Sequence, residues 1–342
     1  MPSFCRHNRL IQNCPICARE LHIDLRPVVT PGGQSGSQPR AAAAGARRPA
    51  RSAAQGSGRG GRSASGLIVR RMTRGAEDGY RSGLLPGLKS SADAERLAGE
   101  LAFAATRLER LAADPPGLYA AVADRSVDVE ERTWLAFLIA YIGPTDSDAP
   151  FDAIDHARTA WSSGEPPRLD GVTLGPRSAH EPSRGTQTIE AYRAWAQRSG
   201  SQAGAFSGEP SWTPERRFSR IFERLALPGF HRGARFELLT TLGRLGVYEL
   251  RAGALGLGGN DEVTLAAKRA LGIGDTLLLE RRAADLAQAC GLDLDALDLG
   301  FYNWERGERS RLGCDVDTEA DPATLADVQS ALDLEPGDAD DL

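Results

Sequence analysis

The densest chemistry in this chain stands at its start. Cys5, His7, Cys14 and Cys17, within "FCRHNRLIQNCPIC", follow the pattern C-x-H-x6-C-P-x-C and take three of the five cysteines and one of the five histidines. Zinc is held tetrahedrally by four Cys or His ligands, and a C-x2-C pair closes on one ion because its turn points both sulfurs the same way. A lone C-x2-C would also suit a redox pair. The Cys5 and His7 pair, which a short hairpin brings back to the same ion, favours the metal. A segment this short has too little core to offset its chain entropy unless a metal helps it fold. With four protein ligands the zinc has no open position, so its expected role is structural, in a small module that recognises nucleic acid or protein. His22 is a substitute ligand. Cys290 and Cys314 lie far away, so the five cysteines do not read as a disulfide framework.

Further along, "TLAAKRALGIGDTLLLERRAADLAQACGL" carries a second chemical cluster. Gly272 ends one helix, Gly274 frees the turn, and Asp275 caps the next helix, in which Leu277, Leu278, Leu279, Ala283 and Leu286 are expected to form the buried side. Lys268, Arg269, Arg281 and Arg282 flank the turn, as solvated helix faces or as a cationic rim for phosphates with Asp275 at the mouth. Phe301, Tyr302 and Trp304 in "LDLGFYNWERG" serve packing, or stack on a base drawn out of a duplex.

These groups must be positioned by helices. Residues 76–311 show repeated 3.6-residue periodicity and little strand-like alternation, which predicts an all-α body. "SADAERLAGELAFAATRLERLAAD" reads as a helix capped by Ser91 or Asp93, with Leu97, Leu101, Leu108 and Leu111 on one side. Trp134 to Ile142 is apolar on all sides, as a central helix should be. The stretch from Pro144 to Thr188 has no clear pattern. After a helix at Ile189 to Gln197, "TPERRFSRIFERLAL" opens with Thr213 and Pro214. "LALPGFHRGARFELLTTLGRLGVYEL" then reads as a helix end, a tight turn at Leu227 to Gly233, and a second helix that stops at Gly243 or Gly246.

The whole chain has 342 residues, 41% of them hydrophobic, enough for a sizeable core. Its formal charge of −5 is segregated: +1 over residues 1–25, +10 over 26–75, −6 over 76–311 and −10 over 312–342. We therefore divide it into a zinc-binding module (1–25), a disordered Arg/Gly/Ser/Ala/Pro-rich linker that is either a solvated tether or a strand attracted to phosphate (26–75), a helical domain (76–311) and an acidic tail with a short helix at Pro322 to Leu334 opened by Asp321 (312–342). No apolar run approaches a membrane span and the first residues lack a secretory apolar core, so a cytoplasmic location is the expectation.

The "LPG" turn resembles that of the helix-hairpin-helix DNA glycosylases. Leu227, Pro228 and Gly229 match its opening, Gly233 and Ala234 supply small positions, and His231 stands where that family has a second glycine. The resemblance implies that amides at the start of the second helix grip a DNA phosphate, with Gly229, His231, Arg232 and Gly233 as the contacts. It further implies a carboxylate beyond the hairpin, here Glu249, that stabilises an oxocarbenium-like sugar or positions a nucleophile. Gly233 sits near the position of the lysine of bifunctional members, which argues against Schiff-base chemistry. Together with "AYIGPTD", "GIGDTLLLERRA" and the amino-terminal module, the chain resembles the alpha-glutamyl/putrescinyl thymine pyrophosphorylase group, over about residues 76–311 and the module.

What that resemblance implies is a glycosylase-like helical domain with a structural zinc. It would act on a hypermodified pyrimidine of DNA, including phage DNA, by group exchange on a 5-substituted thymine or by base excision. Glu249 and Asp275 are then the candidate acid or base, Lys268, Arg281 and Arg282 join the phosphate contacts, and Pro144 to Asp146 is a further place for chemistry. The acidic body runs against DNA binding, and the arginine linker supplies the missing attraction. The alternatives are a non-catalytic zinc-containing adaptor that binds DNA or protein, and a transferase of small phosphorylated molecules built on the arginines around Asp275.

Overall fold

The computed structural model describes residues 75–315 and 317–334. The proposed zinc ligands Cys5, His7, Cys14 and Cys17 and almost all of the arginine-rich linker lie outside the described residues. Among those described there are twelve α-helices, one 3-10 turn and no strand, so the all-α expectation holds.

Helix α1 (Ser91–Ala113) buries Leu97, Leu101, Leu108 and Leu111 as its periodicity predicts. Its cap differs from expectation. Ser90 opens it without a side-chain bond; Asp78 instead accepts from the Ser91 amide and hydroxyl, and the Asp93 carboxylate is engaged by the Gly75 amide and Arg96. After the short α2 (Leu118–Ala123), α3 (Val129–Ile142) is capped by Asp128 and buries every residue from Trp134 to Ile142. The helix can be apolar all round because neighbours cover each side: Phe137 stacks on Tyr192 at 3.8 Å and meets Phe230 at 5.2 Å.

The unpatterned stretch from Pro144 to Thr188 holds α4 (Asp152–Ala157), a 3-10 turn (Pro182–Arg184) and loop. Main-chain bonds fasten that loop to the end of α3: Gly175 N–H donates to the Ile142 carbonyl, and Ala179 and His180 N–H to that of Tyr141. The chain continues through α5 (Gln187–Arg198), α6 (Gln202–Ser207), α7 (Pro214–Arg224) and α8 (Arg232–Arg244). Next come α9 (Glu262–Leu271), α10 (Thr276–Ala289), α11 (Leu294–Arg306) and α12 (Pro322–Ala331). Thr213, Asp275 and Asp321 cap α7, α10 and α12 as expected.

Three expectations need correction. Leu277 and Leu278 are exposed, 82% and 53%, while Leu279, Ala283 and Leu286 are buried. Consecutive residues are about 100° apart on a helix, so a stripe spaced by three and four takes only one of three adjacent leucines. Phe301 and Trp304 are sealed in the core at 0% and 1% exposure, beyond reach of a base. The folded body also does not stop at residue 311. Helix α12 packs on α1 with Val328 and Leu332 fully buried, and Tyr80 Oη donates to the Leu332 carbonyl at 2.6 Å.

Candidate functional site

The corner between α7 and α8 is built by a turn that only a few residues allow. Phe230 N–H donates to the Leu227 carbonyl across Pro228 and Gly229, and Gly229 takes φ +76°, the left-handed region that favours glycine. A Cβ on Gly229 would also meet Thr188 Oγ1 at 2.4 Å. That hydroxyl donates to the Pro228 carbonyl at 2.8 Å, so the missing side chain makes room for the bond that pins the turn. Phe230 is buried beneath, while Pro228 faces solvent.

His231 then caps α8. Its Nδ1 accepts from the Ala234 amide at 3.2 Å, which leaves the proton on Nε2, and Nε2–H donates to the Ser178 carbonyl at 3.0 Å. Although the residue reaches solvent, desolvation of the ring by its neighbours holds the imidazole below its usual pKa. Arg235 N–H donates to the His231 carbonyl, and among the described residues no bond reaches the amides of Arg232 and Gly233. Two free donors at the positive end of a thirteen-residue helix are suited to an anion.

Two cavities meet at Ser178 and His231. The first, about 360 Å³, is bounded by His180, Glu181, Arg184 and Gly229. The second, about 230 Å³, is bounded by Arg177, Arg232, Gly233, Asp261 and Tyr302. Behind the second lies a buried ladder of charges. The Asp298 carboxylate accepts from Arg177 Nη2 and Arg232 Nη2, each at 2.5 Å, and all three side chains are under 10% exposed. Arg177 Nη1 reaches Glu237 at 3.6 Å, and Glu237 accepts from the sealed Arg107 at 2.9 Å. Arg232 Nη1 lies 3.6 Å from Asp261 at the cavity mouth. Burial by itself would raise the Asp298 carboxyl, but Arg232 and Arg177 outweigh it and hold the group below the usual carboxylate range. Gly233 fits this packing, because a Cβ there would come 3.3 Å from Arg177 Nη2.

The structure thus brings Gly229, His231, Arg232 and Gly233 into one cleft, with changed roles. The His231 ring and the Arg232 guanidinium are both engaged inside the protein, the latter by Asp298 and the Leu255 carbonyl, so what they offer an anion is main chain. Glu249 is apart from the cleft. Its side chain is 81% exposed, its Oε2 accepts from Arg217 Nη1 at 3.1 Å, and it lines neither cavity. Asp275 is exposed, receives the Leu278 amide at 3.0 Å as the α10 cap, and also lines neither. Arg281 and Arg282 are exposed on α10, and Lys268 donates to the Gly259 carbonyl; none of the three borders the cleft. Thr145, from the Pro144 to Asp146 segment, borders a different, polar cavity of about 470 Å³ with His156 and Arg168.

Sequence reasoning missed Arg177, His180 and Asp298. The first two fall in the unpatterned stretch, which gives no local cue. Asp298 did leave one: it falls within the helix turn that holds Leu297, Phe301 and Tyr302, and an acid on an otherwise apolar stripe needs a buried partner. Among the described residues no cluster of three or more His, Cys, Asp or Glu side chains suits a metal ion, and no helix is long and apolar enough to cross a membrane. Comparison of the chain with protein-family models, curated proteins and solved structures finds no match in any of the three.

Proposed function

We propose that this chain is a cytoplasmic, DNA-acting enzyme of the helix-hairpin-helix glycosylase kind, which takes a hypermodified pyrimidine into the cleft beside His231. The observation that carries the reading is the solvent-facing corner at Pro228, beside which Arg232 and Gly233, their amides unbonded among the described residues, line the smaller of two cavities that share Ser178 and His231. A backbone phosphate on those amides would sit at the smaller cavity, and the base of its nucleotide would reach past His231 and Ser178 to the larger one, whose 360 Å³ is in the size range of small-ligand pockets. An extruded base reaches such a site only after leaving the stack.

In this reading the chemistry is group exchange on a 5-substituted thymine or excision of the base. The module at Cys5, His7, Cys14 and Cys17 holds a structural zinc, and the arginines of residues 26–75 draw DNA to an acidic body. Incubating the full chain with DNA that carries a panel of 5-substituted pyrimidines, followed by mass spectrometry of the nucleosides, tests it. A mass change or loss confined to one modified base is expected. A second reading, a zinc-containing adaptor without catalysis, is favoured by the position of Glu249 and Asp275 outside the cleft. Tight binding with every base in the panel unchanged would select the adaptor.

A further inference from the structure

His180 borders the larger cavity, yet nothing in the hairpin architecture calls for it. The residue is only 7% exposed, and its Nδ1 lies 2.9 Å from Tyr141 Oη, with the two rings edge to face. Its other nitrogen, Nε2, has no hydrogen-bond partner among the described residues and is not one of the sealed polar atoms that lack a partner, so its remaining exposure opens on the cavity. The ring is held at Nδ1, and the residue is also held through its main chain. Its own amide donates to the Tyr141 carbonyl and the Ser178 hydroxyl, and Tyr141 is rooted in the buried Trp134 to Ile142 stretch of α3.

The direction of the bond decides what Nε2 can do. Either partner of the 2.9 Å bond between Tyr141 Oη and His180 Nδ1 can supply its proton, and the tautomer with Nδ1–H donates to Tyr141 Oη. In that tautomer the neutral ring presents a lone pair at Nε2.

We propose that His180 is the acid–base group of this cavity, with Nε2 accepting a proton from an O–H or N–H of a nucleotide bound there. In that step the donor's X–H bond breaks and its electron pair stays on X, while an Nε2–H bond forms. The resulting imidazolium keeps its Nδ1–H on Tyr141 Oη, so Tyr141 is the positioning residue. Desolvation keeps the ring below its usual pKa and therefore neutral near pH 7. The other titratable or charged groups near it are Tyr141 from α3, Glu181 and Arg184 from the adjoining turn, and His231 from the start of α8. The ligand class rests on the proposed function; the exposed base does not.

Diethylpyrocarbonate acylates an unbonded neutral imidazole nitrogen, so mapping its adducts on the full chain by mass spectrometry near pH 7 tests the two separately. His180 should be modified at a rate within about tenfold of the exposed His156, whereas His231, with both nitrogens bonded, should lag well behind. Saturating duplex DNA should slow the His180 reaction at least several-fold, and Tyr141→Phe should shift its pH dependence while the fold survives. An unmodified His180 at full conversion of His156 overturns the proposal. A reactive His180 that DNA leaves unprotected keeps the exposed base and removes the nucleotide. If the base panel yields a product, His180→Gln should lower kcat by about 10²–10⁴-fold with DNA affinity unchanged, and an unaltered kcat overturns the proposal.

Discussion

With two guanidinium groups 2.5 Å away and almost no solvent, the Asp298 carboxylate cannot be neutralised without leaving Arg177 and Arg232 charged and buried. Removing one partner of such a cluster costs about 3–5 kcal/mol, far more than the cluster contributes over an apolar substitute. Asp298→Asn is therefore expected to lose about that much stability in urea unfolding, and a loss below about 1 kcal/mol would show the ladder to be looser than its distances. The two cleft histidines give a prediction in pH. Desolvation depresses both the buried His180 and the more exposed His231, so near their folded values the unfolded chain binds more protons than the folded one. Their contribution is fully present above about pH 6.5, the ordinary histidine value, and declines as pH falls through the lower folded values. Protonated His231 also loses the Nδ1 lone pair that caps α8. Melting temperature should fall between pH 7.5 and pH 5, and His231→Asn, which retains a capping oxygen, should fall less across the same interval.

At the scale of elements, the α7–α8 hairpin rests on Gly229. Replacing it with alanine combines a strained positive φ with a 2.4 Å approach to Thr188 Oγ1, and about 1–3 kcal/mol of destabilisation is expected. Gly79→Ala is the comparison, since its φ of +91° has open space around the added methyl. If the turn aims the α8 amides at DNA, Gly229→Ala should weaken duplex binding at least several-fold and Gly79→Ala should not, as fluorescence anisotropy can measure. The elements themselves were largely legible, because helix starts such as Thr213, Asp275 and Asp321 and the all-round apolar run of α3 are local properties of the chain. The site was only half legible. Gly229 and Gly233 announce a turn, but Arg177 and Asp298 meet across 121 residues of sequence, and a salt bridge at that separation leaves no mark in any window. The loop that carries Arg177 and His180 owes its course to main-chain bonds with the end of α3, which no periodicity reports.

For the whole molecule, charge is the main constraint. An acidic body follows an arginine-rich segment of charge +10, and the acidic residues after 311 include a helix that is part of the core. Binding to DNA should therefore weaken steeply with salt, by counterion release from the arginines, while the hairpin supplies register. The amino-terminal module is expected to hold one zinc per chain by elemental analysis. Cys14→Ser should release it without moving the main unfolding transition, and full retention of metal would remove Cys14 from the ligand set. The claim on which this picture turns is that the start of α8 receives a DNA phosphate, and amide NMR spectra of the full chain titrated with a short duplex test it most directly. The Arg232 and Gly233 amide signals should shift downfield and rank among the most displaced in the body. Saturable DNA binding that leaves those two amides where they were would contradict it.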